Sequence, residues 1–363
     1  MWNKIKDWLE IRIGLDELVR TQLTEYMIPR NINIFYSFGV IALSLFVVQV
    51  LTGFFLLIYY IPHFEHAFKS VQDIMMVVPY GWLFRLIHVV GSNLMVAVVF
   101  IHMLSVFFMG SYKKPRELTW LAGAGLLFTT LGFCLSGYLL PWSQLSFWAT
   151  TVTTTIPTAF PYVGDFIAQV MRGGDTVSGV TLNRFFALHV ALLPLVLLSI
   201  VGLHLFLIRR IGISSPPFGK SVEKTEWAAF RHDSHPGGIP FYPDFVLREG
   251  YMVMMFMGIM FFVITFMPML FLPEDANTPA DPFKTPAHIK PEWYFLAAYQ
   301  MLKLIPNRFL GITLQGIIVT VLLLWPLLDT KEEANIMKRP LLRSAFFLAV
   351  IGWIALTIWG KYS

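Results

Sequence analysis

Four histidines stand inside long apolar stretches of the chain, where ionisable side chains are costly. His88 and His102 are 14 residues apart in one stretch, and His189 and His204 are 15 residues apart in another. In an α-helix of about 3.6 residues per turn, each pair faces roughly one way and spans about 21–22 Å along the axis. Two parallel helices would bring His88 beside His189, named here the outer pair, and His102 beside His204, the inner pair.

Two histidine pairs at two depths are the ligand set of two haem groups of the b type, with each iron held from both sides by an imidazole nitrogen. Such irons keep no open position for substrate, so this chemistry is electron transfer. Glycines repeat the same period on two other apolar stretches, at Gly39, Gly53, Gly123 and Gly137. They predict a wall without side chains beside each haem. A haem-free transporter with intramembrane histidines remains an alternative.

The stretches that carry these residues are predicted to span a membrane. Of the 363 residues, 56% are hydrophobic and only 13% are charged, against about 25% charged in soluble domains. This balance argues against a soluble enzyme, a disordered protein and a nucleic-acid binder. We expect an all-α integral membrane protein, with a four-helix dihaem bundle followed by three further transmembrane helices. The seven predicted spans are 33–61, 81–109, 120–140, 185–208, 247–272, 310–328 and 341–359.

Prolines and glycines near residue 240 mark a boundary between two halves. We expect an amphipathic surface segment at 1–32, the dihaem domain at 33–210, a cytoplasmic linker at 211–246 and a three-helix domain at 247–363. With seven crossings, eighteen of the 27 Lys and Arg residues share the side of the N-terminus. The positive-inside rule then predicts a cytoplasmic N-terminus and an outside C-terminus.

Arg85 and Arg184 fall at the outer interface, where they can pair with haem propionates.

With these residues in place, the chain resembles cytochrome b of the cytochrome bc1 and b6f complexes. The histidines, the paired glycines, the stretch Gly137–Trp142 and the motif Pro291–Tyr294 (Pro-Glu-Trp-Tyr) match that family in order. The stretch Lys113–Trp120 and the 15-residue histidine spacing are similar to b6f, as if cytochrome b6 and subunit IV were fused. Cytochrome b6 holds an extra haem through a cysteine where this chain has Ser37, so we expect no covalent haem.

The resemblance implies an oxidoreductase that passes electrons from quinol to a cytochrome c or a plastocyanin-like acceptor, in a bacterial inner membrane. Quinol would be oxidised at the outer side and quinone reduced at the inner side, with proton translocation. The implied partners are a Rieske iron–sulfur protein, a cytochrome c-type subunit, lipid, quinone and a second copy of the complex, with no nucleic acid. A dihaem membrane anchor of a dehydrogenase or hydrogenase is the alternative, and it would lack the Pro-Glu-Trp-Tyr motif.

The same resemblance implies three groups of site residues. At the outer quinol site, Glu292 would accept a proton, with Tyr138 and Tyr299 as polar partners, because a buried carboxylate with a raised pKa suits that role. The wall of this site would include Pro291, Glu292, Trp293, Tyr294, Phe147 and Ala149. The inner haem propionates would meet Ser111, Lys113 and Trp120. The inner quinone site would contain Arg209, Arg248 and Glu249.

Overall fold

The computed structural model describes residues 2–218, 238–286 and 289–363. Residues 219–237 of the predicted linker 211–246 lie outside the described residues. Three of the basic residues that support the predicted membrane orientation fall in this range. Within the described ranges, seven helical segments are long and apolar enough to cross a membrane. They coincide with the seven predicted spans, so the predicted fold class is confirmed.

The first half of the chain holds four of these spans. A bilayer offers the backbone no water to bind, so continuous apolar runs are stable there as helices. The helices of this half are α1 (Trp2–Ile13), α2 (Leu15–Val19), α3 (Phe38–Tyr59), α4 (Ala67–Met76), α5 (Gly81–Phe108), α6 (Glu117–Leu139), α7 (Gln144–Thr155), α8 (Gly164–Arg172), α9 (Gly179–Ala187) and α10 (Leu193–Ile211).

The second half adds three spans and one shorter helix. Its helices are α11 (Val246–Phe266), α12 (Trp293–Leu304), α13 (Arg308–Leu328) and α14 (Pro340–Tyr362). Two short strands, β1 (Met27–Ile28) and β2 (Ile239–Pro240), pair antiparallel and join the N-terminal segment to the chain just before α11.

A π-helical turn at Leu188–Leu192 joins α9 to α10 within the fourth span. Pro194, in the first turn of α10, has no N–H to donate, and its ring conflicts with the preceding turn, so the regular α-helical hydrogen bonding is interrupted there. A π turn takes up an additional residue. The 15-residue separation of His189 and His204 therefore gives nearly the same facing as the 14-residue separation of His88 and His102.

Helix pairing decides which residues face the histidines. Helix α3 packs along α5, α6 packs along α10, and α11 contacts both α3 and α5. The buried core where α3, α5 and α11 meet includes Ile41, Leu45, Val90, Val98 and Met260. Each histidine-bearing helix therefore has a glycine-bearing helix beside it.

The two ends of the helix bundle are closed by different loops. At the end that carries α4, α7 and Glu292, named here the outer face, the Tyr60 hydroxyl donates to the Leu140 carbonyl (2.7 Å). Ser143 and Pro279 form a β-bridge at the same end. At the opposite end, the inner face, loops of both halves meet around Asp329.

Candidate functional site

The outer pair has the spacing of two ligands to one metal. The rings of His88 and His189 have centroids 6.3 Å apart, with an angle of 71° between their planes. Two imidazoles that ligate one iron from opposite sides through bonds of about 2 Å have centroids about 6 Å apart. The outer pair therefore fits an iron between the two rings.

Hydrogen bonds set the protonation of the outer pair. Thr52 Oγ1 lies 2.9 Å from His88 Nδ1, and Ser136 Oγ lies 3.1 Å from His189 Nδ1. Each hydroxyl already donates its proton to a carbonyl one turn earlier in its own helix. The hydroxyl oxygens therefore accept from Nδ1–H, which leaves the Nε2 lone pairs free for a metal.

The inner pair is buried and has Nδ1 atoms without partners. Among the residues that the structure describes, neither His102 Nδ1 nor His204 Nδ1 finds a hydrogen-bond partner. Buried polar atoms are rarely left unpaired in native proteins, and the exceptions often mark the place of a bound group. The inner pair therefore also fits a prosthetic group held between α5 and α10.

Each of the four glycines faces one of the four imidazoles. A Cβ built at Gly39 would lie 3.2 Å from His102 Cε1, and one built at Gly123 would lie 3.3 Å from His204 Cε1. The corresponding distances are 3.4 Å from Gly53 to His88 and 2.5 Å from Gly137 to His189. In this structure each glycine therefore leaves room for a histidine ring beside the neighbouring helix.

A cavity opens on the outer face, where the two halves of the chain meet. Helix α6 contributes Tyr138, helix α7 contributes Ala149, and the Pro-Glu-Trp-Tyr segment contributes Glu292. The full set of lining residues is Cys134, Leu135, Tyr138, Ala149, Thr150, Thr153, Pro291, Glu292, Tyr294 and Phe295.

Glu292 is the acidic group of this cavity. The residue is the N-cap of α12, but its side chain makes no capping hydrogen bond. The Tyr138 hydroxyl lines the same cavity, and its favourable interaction with the ionised carboxylate works to lower the pKa of Glu292. Burial has the larger effect, so the pKa of Glu292 is raised above its ordinary value. A partly buried carboxyl with a raised pKa is suited to taking up a proton near neutral pH.

Comparison with known proteins decides the family. The model of the family described as "Cytochrome b/b6/petB" matches residues 23–212, and that described as "Cytochrome b(C-terminal)/b6/petD" matches residues 279–363. The chain is similar to cytochrome b of Rickettsia conorii, with 37% identity over 95% of this chain and 84% of the relative. Cytochrome b of Rhodospirillum rubrum is 36% identical over 95% of this chain and 82% of its own length.

The chain belongs to the cytochrome b family. A solved chain titled "Hyperthermophilic respiratory Complex III" superposes with a TM-score of 0.90 and 39% identity, covering 98% of this chain and 91% of its own length. The predicted resemblance is confirmed. Membership favours a cytochrome over the haem-free transporter that the histidines alone left open.

Within this cytochrome b fold, three residues expected at the outer quinol site do not line the cavity. The Trp293 indole donates to Asn93 Oδ1 (3.0 Å) on α5, so it anchors the motif. The Phe147 ring packs edge-on against Trp142 and Trp148. Tyr299 lies two turns beyond Glu292, where its ring meets Lys303. Five further residues line the cavity, and nothing in their types predicts it, because residue type does not indicate which helices meet: Cys134, Leu135, Thr150, Thr153 and Phe295.

The two arginines expected at the outer haem differ in environment. Arg85 is buried, and within the described ranges its guanidinium has no hydrogen-bond or ion-pair partner, which suits a group that binds an anion. Arg184 is exposed and donates to the Val170 carbonyl of α8. Arg85 therefore has a guanidinium free to bind an anion, whereas the Arg184 side chain is bound to α8.

The residues expected at the inner haem propionates are engaged with the protein itself. Ser111 Oγ lies 2.6 Å from Ser214 Oγ, and the Trp120 indole donates to the Leu322 carbonyl (3.0 Å). Lys113 Nζ lies 2.6 Å from Asp329 Oδ2. In this structure these three side chains connect the inner-face loops and helices.

The residues expected at the inner quinone site are only partly brought together. Glu249 is buried: its Oε1 accepts a hydrogen bond from Ser37 Oγ (2.9 Å), and its Oε2 has no partner among the described residues. Arg248 donates to the Ile32 carbonyl (3.1 Å). Arg209 lies over the Tyr26 ring, 3.4 Å from its centroid. Glu249 thus has the free oxygen that a polar ligand could meet, whereas Arg209 is bound to the N-terminal segment.

Proposed function

We propose that this chain is the dihaem subunit of a complex that oxidises quinol at the outer face and reduces quinone near the inner face. The supporting observation is the cavity between α6, α7 and the Pro-Glu-Trp-Tyr segment, which holds a partly buried carboxyl on the same face as the outer pair. A dihaem anchor of a dehydrogenase or hydrogenase would lack the Pro-Glu-Trp-Tyr motif that lines this cavity.

Glu292 is the proton acceptor for quinol in this proposal. Oxidising quinol to quinone releases two electrons and two protons, so an ionised carboxylate next to the bound hydroxyl assists the reaction. Tyr138 stabilises the ionised form of that carboxylate. Ala149 and Phe295 supply apolar wall for the quinol ring.

The four histidines would ligate two haems of the b type, with His88 and His189 on one iron and His102 and His204 on the other. When bound, the haems supply one-electron transfer across the bilayer. The imidazoles would present Nε2 to the iron, the glycines leave room for the rings, and Arg85 would offer its guanidinium to a propionate. No covalent haem is expected at Ser37.

Electron partners and membrane orientation complete the proposal. One electron of each quinol passes to a Rieske iron–sulfur protein, and from there to a cytochrome c-type or plastocyanin-like acceptor. The other crosses the membrane to quinone near Glu249, so charge moves and protons are translocated. The outer face lies outside a bacterial inner membrane, the N-terminus in the cytoplasm, and the complex is a homodimer. In this proposal, residues 33–210 form the dihaem domain and residues 247–363 form the three-helix domain.

The test is Glu292→Gln in the intact complex, which keeps the side-chain volume and removes the proton acceptor. Loss of a general base typically costs about 10²–10⁴-fold in rate, so we expect steady-state quinol oxidation to fall at least about 100-fold while both haem spectra persist. Glu65→Gln, at an exposed glutamate on the same face, is the matched control. Normal turnover of Glu292→Gln would remove this role, and purified complex without two protohaems per chain would overturn the dihaem proposal.

A further inference from the structure

The outer and inner histidine pairs differ in what faces Nδ1. Both outer imidazoles lie against a hydroxyl, Thr52 for His88 and Ser136 for His189. Across the described residues, neither inner imidazole has a hydrogen-bond partner at Nδ1. The two pairs share one feature, since each ring lies against a glycine of the neighbouring helix.

The difference is encoded next to the glycines. The outer glycines follow a hydroxyl residue, as Thr52-Gly53 and Ser136-Gly137. Fourteen residues earlier in each helix, the inner glycines follow an apolar residue, as Phe38-Gly39 and Ala122-Gly123. Fourteen residues are nearly four helical turns, so corresponding residues share a helix face. Both levels therefore have a glycine beside each histidine, but only the outer level has a hydroxyl residue next to that glycine.

We propose that Thr52 and Ser136 are positioning residues that lower the reduction potential of the outer haem relative to the inner haem. The inference rests on the proposed function, since it needs two haems on these four histidines. It concerns residues outside the ligand set, each acting through the imidazole that it contacts.

The sign follows from the donor and acceptor roles. Each hydroxyl gives its own proton to a backbone carbonyl, so its oxygen accepts from Nδ1–H. An imidazole that donates this hydrogen bond carries more negative charge at Nε2 and is a stronger donor to iron. A stronger donor stabilises ferric iron over ferrous, which lowers the potential. An electron entering at the outer haem would then move downhill toward the inner haem.

The experiment is a redox titration of each haem, followed by its optical band, in purified complex carrying Ser136→Ala or Thr52→Val. Changes in groups that orient metal ligands typically alter metal-site properties by about 10–100-fold. We expect the ferrous-to-ferric ratio of the outer haem at fixed ambient potential to rise about tenfold, which for one electron is about 59 mV. The inner haem should not shift.

Two hydroxyls that bond only helix carbonyls provide matched controls. Thr130 on α6 donates to the Leu126 carbonyl, and Ser44 on α3 donates to the Val40 carbonyl. Thr130→Val and Ser44→Ala remove the same groups from the same helices, so neither haem should shift. One atom of the Gln49 amide lies 3.3 Å from His88 Nδ1, which makes Ser136→Ala the cleaner of the two test variants.

The reciprocal variant is Ala122→Ser, which brings a hydroxyl to the inner level beside Gly123. It should lower the potential of the inner haem and leave the outer haem unchanged. This variant decides the question if Ser136→Ala proves unable to assemble. Two intact haems whose potentials stay at the control values in all three variants would overturn the inference, whereas a complex without haem would overturn the proposed function instead.

Discussion

The Glu292–Tyr138 pair shows how a burial penalty and a hydrogen bond oppose each other at one carboxyl. Burial raises the pKa of Glu292, and the bond donated by Tyr138 offsets part of that rise because it stabilises the ionised form. A proton acceptor must be ionised before the reaction. The rate of quinol oxidation should therefore increase with pH as Glu292 loses its proton, above the ordinary carboxyl value of 4.5.

Tyr138→Phe should move this pH dependence in a defined direction. Removing the hydroxyl takes away a bond to the ionised carboxylate, so the pKa of Glu292 rises further and the acid limb of the rate profile shifts to higher pH. The measurement is the pH profile of kcat/KM for quinol. Tyr162→Phe, at an exposed tyrosine outside the cavity, should leave the profile in place. An unshifted limb in Tyr138→Phe would show that Tyr138 does not act on Glu292.

At the scale of the helices, α3 packs on α5 and α6 packs on α10. This packing places each of the four repeated glycines against one imidazole ring. The tightest seat is Gly137 beneath His189, where a Cβ would lie 2.5 Å from Cε1. That distance is shorter than any van der Waals contact, so the ring or the helix would have to shift. The approach depends on the absence of a side chain, not on any unusual backbone angle.

Gly137→Ala should therefore weaken assembly of the outer haem. We expect purified complex to contain less than two protohaems per chain, or an outer haem with an altered band, by pyridine haemochrome and difference spectra. Gly125→Ala on the same helix is the control, because its Cβ would meet Ile200 Cδ1 at an ordinary 3.6 Å. Wild-type haem content in Gly137→Ala would mean that the imidazole seat is not needed.

For the whole molecule, an ion cluster around Asp329 ties the two halves together on the inner face. Its carboxylate accepts from Tyr112 (2.5 Å) and from both terminal nitrogens of Arg339 (2.7 and 2.6 Å), and it pairs with Lys113 (2.6 Å). Burial works to raise the pKa of Asp329, but the bonds from Arg339, Lys113 and Tyr112 outweigh it and hold the pKa well below its ordinary value. A folded-state pKa below the unfolded value means that this stabilisation is present at neutral pH and is lost as the pH falls through the lowered pKa.

Asp329→Asn should loosen the contact between the halves. Removing one member of a buried ion pair typically costs about 3–5 kcal/mol, because the remaining charges stay buried. We expect a lower apparent Tm of the purified complex in detergent at neutral pH, with the difference from wild type shrinking in strong acid. Glu333→Gln, which breaks an exposed pair with Lys338 (3.5 Å), should change the Tm little. Equal effects of the two variants would contradict a stabilising role for the cluster.

Most of what the amino-acid sequence alone predicts about the fold and the histidine pairs comes from its periodicity. Apolar runs of membrane length predict the seven helices, since a bilayer leaves the backbone no other partner than itself. The helical repeat predicts that His88 and His102 share a face, because facing and rise along one helix are local properties. The Pro-Glu-Trp-Tyr motif points to Glu292 through family resemblance.

Contacts between helices depend on side-chain packing over long separations, and no local pattern specifies them. The amino-acid sequence alone does not predict that Trp293 contacts Asn93 or that Lys113 pairs with Asp329. It also does not predict the π turn beside Pro194, which lets His189 and His204 face the same way, as His88 and His102 do. Nor does the sequence predict that the hydroxyls of Thr52 and Ser136 contact the outer imidazoles, whereas Phe38 and Ala122 occupy the corresponding positions beside the inner pair. These arrangements arise only when α3 packs on α5 and α6 on α10, because that packing fixes which side chains meet.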